Sequence, residues 1–233
     1  AHASGFINAA GRAATTSQVL EKLNAAVAVI RSSSALDLES TALLVDVLLK
    51  RGEAQLQLGE VDGALADFDA AESQLILLLP HGYPTWREDL ARVCSARGVA
   101  LMRVSTRGNA LQAVTCFERA LEFLAPLVAT SGIWISYAKV TALMNKGDAQ
   151  FCSGVVDCVD AAIATYEDVL TFFKENKFAE RPLLVRRCIV AHLNVCGYLL
   201  ARDRVGDAEK AIKACDEVLM RLATELKTEA EQV

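Results

Sequence analysis

The chain has 233 residues, enough for one large domain or two small ones, and its formal net charge of −5 argues against generic nucleic-acid binding. That binding rests on Lys and Arg neutralising phosphates. Hydrophobic residues make up 53% and aromatics 6%, and only 4 Pro and 13 Gly interrupt the chain, which points away from strands and towards long helices with a core of Ala, Leu and Val.

Residues 1–14 are rich in Ala and Gly with Arg12 as the only formal charge, and 1–15 are expected to be a flexible N-terminus. Apolar residues at Val19, Leu20, Leu23, Ala26, Val27 and Ile30 then mark a helix over 16–31, with Thr16 or Ser17 as its cap. Four helix pairs follow, at about 38–79, 85–129, 133–175 and 182–227. In the first pair a helix over 38–58 reaches the turn Gly59-Glu60-Val61-Asp62, and Pro80-His81-Gly82-Tyr83-Pro84 ends the second helix. The helices of the next pairs are predicted at 85–105 and 109–129, at 133–152 and 155–175, and at 182–203 and 206–227. Pro182 suits a first helical turn. Residues 229–233 read as a polar tail, and 16–228 as one continuous domain.

One pattern recurs through these pairs. Ala64, Ala113, Ala162 and Ala211 stand 49 residues apart. Four residues after each come Phe68, Phe117, Tyr166 and Cys215, and seven after come Ala71, Ala120, Val169 and Val218. Such offsets share one face of a helix, and a fixed period of this size signals stacked repeats. The ring is lost at Cys215, which fits a terminal capping unit. The first helix of each of the first three pairs carries Gly52, Gly98 or Gly147 in its middle. Glycine there costs about 1 kcal/mol relative to Ala, so a close helix approach is expected, against the small Ala64, Ala113 and Ala162.

Gly52, Gly59, Ala64, Phe68 and Ala71, with Gly98, Ala113, Phe117, Ala120 and Gly147, Ala162, Tyr166, Val169, resemble the tetratricopeptide repeat in residue type and spacing. The 49-residue interval exceeds that family's 34, which makes the chain a divergent member with longer helices and loops. HEAT and armadillo repeats, at about 40–47 residues, are the alternative. The resemblance implies an all-α right-handed solenoid of antiparallel pairs, four hairpins plus an N-terminal helix. It also implies a concave groove lined by the first helices, where a peptide or protein would bind. Counting from the glycines, that groove would hold Asp46, Lys50, Glu53 and Gln57, then Arg92, Ser95, Met102 and Arg103. Thr141, Met144, Asn145, Asp148 and Phe151 follow, with Leu193 and Asn194 last. Glu53 stands where the co-chaperone version of the groove would receive a carboxylate, so that ligand is disfavoured.

No nucleophile elbow, phosphate loop or His–carboxylate metal motif is present in the sequence, so neither an enzyme nor a cofactor or metal is expected. The pair Cys188 and His192, one helical turn apart, is weak support for catalysis without a third orienting group. Seven Cys without a CxxC pair read as reduced, structural thiols. The longest uncharged run, Phe123 to Ala138, has 16 residues, below the ~20 of a spanning helix. A cytoplasmic interaction scaffold is the leading expectation. A start at Ala1 rather than Met keeps periplasmic or secreted locations in play, and with them a ligand-binding or transport accessory role. Self-assembly is the other alternative, through Trp86, Trp134 and the Tyr83-Pro84 loop. Nine acids against Lys50 and Arg51 in 37–72, and five bases against two acids in 174–187, would align copies in a homo-oligomer.

Overall fold

The structure, a computed structural model, describes residues 2–32, 37–127, 133–175 and 182–230. Among the described residues it is helical, with no strand. The helices are α1 (His2–Arg31), α2 (Leu38–Leu58), α3 (Val61–Leu78), α4 (Pro84–Arg103), α5 (Arg107–Leu124), α6 (Ile133–Cys152), α7 (Val156–Glu175), α8 (Pro182–Ala201) and α9 (Val205–Ala230). Single 3₁₀ turns, Leu79–His81 and Ala125–Leu127, follow α3 and α5. Positions 128–129 of the second pair, Lys177 and Arg181 of the basic stretch, and 231–233 of the expected tail lie outside the described residues.

Sequence chemistry explains the boundaries. Asp37 opens α2 by accepting the Ser40 amide at 2.8 Å, and this bond holds its carboxyl below the usual range. Gly59 closes α2 in the left-handed region, φ 84°, while the Glu60 amide donates back to Gln55 O at 2.9 Å. Pro84 begins α4, and Thr106 caps α5 by accepting the Asn109 amide at 3.1 Å. The expected cap needs correction: α1 starts at His2, so Thr16 and Ser17 lie inside the helix rather than capping it. Ala3, Ala9, Ala10, Ala13 and Ala14 are strong helix formers and outweigh Gly5 and Gly11.

Where one continuous domain was expected, the chain divides into two compact units, Ala1–Thr130 and Ser131–Val233. In the first, α1 packs on α2, α2 pairs with α3, α3 packs on α4, and α4 pairs with α5. In the second, α6 pairs with α7, α7 packs on α8, and α8 pairs with α9. Each unit is therefore built by helices touching their chain neighbours, the packing mode of a repeat protein.

The repeat residues form the centre of these pairs. Ala64, Phe68, Ala71, Ala113, Phe117, Ala120, Ala162, Tyr166 and Val169 all have 0% exposure, so the periodic face is the buried face. The glycines serve the rings, not the alanines. A Cβ at Gly52 would lie 2.5 Å from Phe68 Cε1, at Gly98 2.6 Å from Phe117 Cζ, and at Gly147 2.5 Å from Tyr166 Cε2. Each ring from the second helix of a pair thus fills a hole that only glycine leaves in the first. Gly197, in the pair that lacks the ring, has nothing within 4 Å of such a Cβ.

The three residues separating the first pair from the others extend a helix more than a loop. α3 begins at Val61, three positions before Ala64, whereas α5 and α7 begin at Arg107 and Val156, six before Ala113 and Ala162. Three residues are nearly one helical turn, so the ring keeps its face. The fourth pair departs from the pattern. Ala208 and Cys215 are buried, Ala211 is half-buried, and Ile212 is exposed. Leu193, Leu200, Leu219 and Met220 are exposed as well, beside the exposed charges Glu209, Lys210, Lys213, Asp216 and Glu217 of α9.

Candidate interaction site

The groove residues expected from the first two pairs lie in the first unit. Lys50 Nζ is 2.5 Å from Asp46 Oδ2, and Arg92 Nη2 is 3.7 Å from Asp46 Oδ1, so these three gather between α2 and α4. Lys50, Glu53, Ala54 and Gln57 share a cleft of about 280 Å³ with Thr15, Thr16, Val19 and Leu23 of α1. Thr16 Oγ1 donates to Gln57 Oε1 at 3.2 Å. The expected groove face of α2 is therefore partly taken by α1 of the same chain. Met102 is half-buried and Arg103 exposed, on the last turn of α4.

In the second unit the expected residues Asp148 (α6) and Asn194 (α8) meet: Asn194 Nδ2 donates to Asp148 Oδ1 at 3.3 Å. Two phenols join them. Tyr166 (α7) donates to Asp148 Oδ1 at 2.8 Å, and Tyr198 (α8) donates to the same oxygen at 2.5 Å. Asn194 Nδ2 also donates to Tyr166 Oη at 2.6 Å, and Tyr166 Oη lies 3.1 Å from Met144 O. Phe151 stacks on Tyr198 with centroids 4.2 Å apart. Burial, reinforced by the Asp148 carboxylate, raises both phenols above their ordinary pKa. Both therefore stay protonated donors at neutral pH. Asn145 is half-buried on α6, while Met144 belongs to the core.

Two charged clusters escaped sequence reading. In one, Arg51 (α2) makes a bidentate pair with Asp67 (α3), with Nε 2.6 Å from Oδ2 and Nη2 bonded to Oδ1. In the other, Glu72 (α3) receives Arg119 Nη1 at 2.5 Å and Arg97 Nη1 at 3.6 Å, with Cys94 Sγ 3.9 Å from Oε1. A long-range register between α3, α4 and α5 is needed to see the second. Trp86, expected at a contact between copies, is instead buried at 7%, packed against Tyr83 with centroids 4.6 Å apart. Trp134 is 68% exposed. Cys188 and His192 are both buried.

The thiols follow burial. Burial first, then Glu72, pushes Cys94 up to about 12, and burial also raises Cys116 and Cys215. Cys94, Cys116, Cys188, Cys196 and Cys215 are buried, Cys152 is exposed and Cys158 half-exposed. Exposure decides which thiols a reagent can reach, so Ellman's reagent at pH 7.5 should modify Cys152 and Cys158 in the native chain. The five buried thiols should follow only in guanidinium, and rapid native labelling of Cys94 would contradict this packing.

Among the described residues no group of three or more His, Cys, Asp or Glu is placed to hold a metal ion, and no helix is long and apolar enough to cross a membrane. Neither a family model nor a curated protein matches the sequence. Solved structures do. A candidate kinesin light chain of Podosopora anserina with nearly identical TPR-like repeats matches with a TM-score of 0.68, 13% identity, and 93% of each chain covered. A single-substitution form of that protein matches with a TM-score of 0.67 and 14% identity, over 94% of this chain and 96% of that one. With the buried Ala and aromatic positions at repeat spacing, this likeness shows that the chain has the fold of the tetratricopeptide-like helical repeats.

Proposed function

We propose that the chain is a non-enzymatic, cytoplasmic interaction scaffold that binds a peptide or protein partner on the first helices of its pairs. The observation that carries this reading is the α6/α8 face of the second unit. There a half-buried carboxylate and amide, Asp148 and Asn194, sit beside the Phe151/Tyr198 stack. Polar groups that can pair a backbone, next to apolar surface that can hold side chains, suit an extended segment. The fold adds support, because repeat stacks present broad binding surfaces.

Tagged full-length chain, used as bait in extract of its native cell with mass spectrometric identification, tests the reading. Arg103→Ala with Asn145→Ala should reduce recovery of the partner about tenfold, the size expected when binding contacts are truncated. Neither residue is in the core, so the melting temperature should move by less than about 2 °C. Unchanged recovery by the double variant retires the groove. A second reading, self-assembly, is favoured by the exposed Trp134, Leu193 and Met220. Recovery of untagged copies of the chain and nothing else would select it.

A further inference from the structure

Buried and half-buried carboxylates in this protein are met in two different ways. In the first unit Asp67 is paired with Arg51, and Glu72 with Arg119 and Arg97. In the second unit Asp148 receives three bonds, all from neutral donors and all on Oδ1: Tyr166, Tyr198 and Asn194. It makes no ion pair with any described residue, and Oδ2 takes part in none of its bonds. A carboxylate offers about four acceptor sites on two oxygens. Asp148 therefore holds an acceptor edge and a negative charge that no cation among the described residues pairs with.

The surroundings select what would complete it. The three donors fix the orientation of the carboxylate, so a ligand binding Oδ2 would not have to order it. Tyr198 is held by its bond to Asp148 and by the stack on Phe151, and its ring meets Tyr166 edge-on with centroids 5.6 Å apart. A carboxylate edge beside a fixed aromatic pair suits a guanidinium, which makes charge-assisted bonds to carboxylates and stacks on rings. Glu53 of the first unit follows Gly52 as Asp148 follows Gly147, but it faces the cleft that α1 lines. Its counterpart in the second unit is the better receptor.

We propose that Asp148, held by Tyr166, Tyr198 and Asn194, receives an arginine side chain of the bound partner segment on the α6/α8 face. The assignment rests on the scaffold reading and names its partner chemistry.

The test uses the full ¹⁵N-labelled chain and three blocked pentapeptides, Gly-Gly-X-Gly-Gly, with X as arginine, lysine or the neutral isostere citrulline. The arginine peptide should shift the Asn194 side-chain amide and the backbone amides around Asp148 saturably. The citrulline peptide should bind at least tenfold more weakly, because it lacks the charge. Asp148→Asn keeps a carbonyl acceptor for the phenols, and it should abolish the preference for arginine over citrulline. Equal shifts from arginine and citrulline, tighter binding of lysine than arginine, or no saturable shift at Asn194 would each overturn the site. Those failures are distinguishable from failure of the scaffold reading. In them the bait still captures a partner, and capture still falls with Arg103→Ala/Asn145→Ala.

Discussion

Phe117→Ala should lower the stability of the first unit by about 3–5 kcal/mol, the range for removing a buried ring and leaving its cavity. The ring has 0% exposure, and its tip lies where a Cβ at Gly98 would stand, 2.6 Å from Cζ. Gly98→Ala sets two effects against each other. Alanine gains about 1 kcal/mol of helix propensity, and overpacking of a filled core costs about 1–3 kcal/mol. Two further ring atoms would lie 2.7 and 3.0 Å from the new Cβ, so more than one atom must yield and the upper part of that range applies. A net loss of about 1–2 kcal/mol is expected.

In the Phe117→Ala background the obstacle is gone. There Gly98→Ala should stabilise by about 1 kcal/mol. The change of sign at one position is the signature of direct contact, and the coupling of about 2–3 kcal/mol lies within the span seen for touching residues. Gly197→Ala supplies the control: nothing lies within 4 Å of its Cβ, so stabilisation of up to about 1 kcal/mol is expected in the wild-type chain. Urea unfolding followed by circular dichroism would measure all four variants. Stabilisation by Gly98→Ala in the wild-type chain would show that the ring does not occupy the glycine's hole.

Helix positions were legible because each carries local signals. The apolar spacing in 38–58, Gly59 after it and Pro84 before α4 act within a turn or two of the chain, and the observed boundaries follow them. The glycine–ring pairing was half legible. Sequence spacing matched Gly52 with Ala64, but the side chain that reaches the glycine is Phe68, one turn further on. A ring extends well beyond its own Cα, so helix periodicity alone does not identify what it touches. Asp148 was placed on the expected face, yet its partners were hidden. Two residues after Gly52, Gly98 and Gly147 stand Ala54, Ala100 and Ala149, and the corresponding residue after Cys196 is Tyr198. A tyrosine in an alanine slot was the available signal. The division into two units was not legible, because the helix pairs on either side of it carry the same repeat residues, Ala113 and Phe117 before it and Ala162 and Tyr166 after it.

Arg51→Met should cost about 3 kcal/mol and lower the unfolding midpoint of the first unit. Asp67 is the reason. Its side chain is 6% exposed, and Arg51 bonds both of its oxygens. That bond, the largest cause, also raises the Arg51 pKa, so the guanidinium remains charged over any practical pH range. Removing one member of a buried pair leaves a charge without compensation, which costs about 3–5 kcal/mol. Arg51 itself is 17% exposed, so water reaches the vacated site and the lower end applies. Arg51 Nη1 also donates to Asn24 Oδ1 at 3.2 Å, so the same side chain ties α1 to the α2–α3 pair. Asp67→Leu in the Arg51→Met background removes the orphaned charge and should recover most of the loss, because a buried ion pair is often no more stable than apolar groups of similar volume. Its recovery will stop short of complete, since the tie to Asn24 is not restored. The fluorescence of the buried Trp86 in a Trp134→Phe background would follow this unit during urea unfolding. If Arg51→Met costs under about 1 kcal/mol, at the level of an exposed pair, the pair is hydrated in solution and α3 is not held to α2 through Asp67. If the double variant is no better than the single, the loss comes from the Asn24 contact and the packing of α1, and the charge pair has no net part in it.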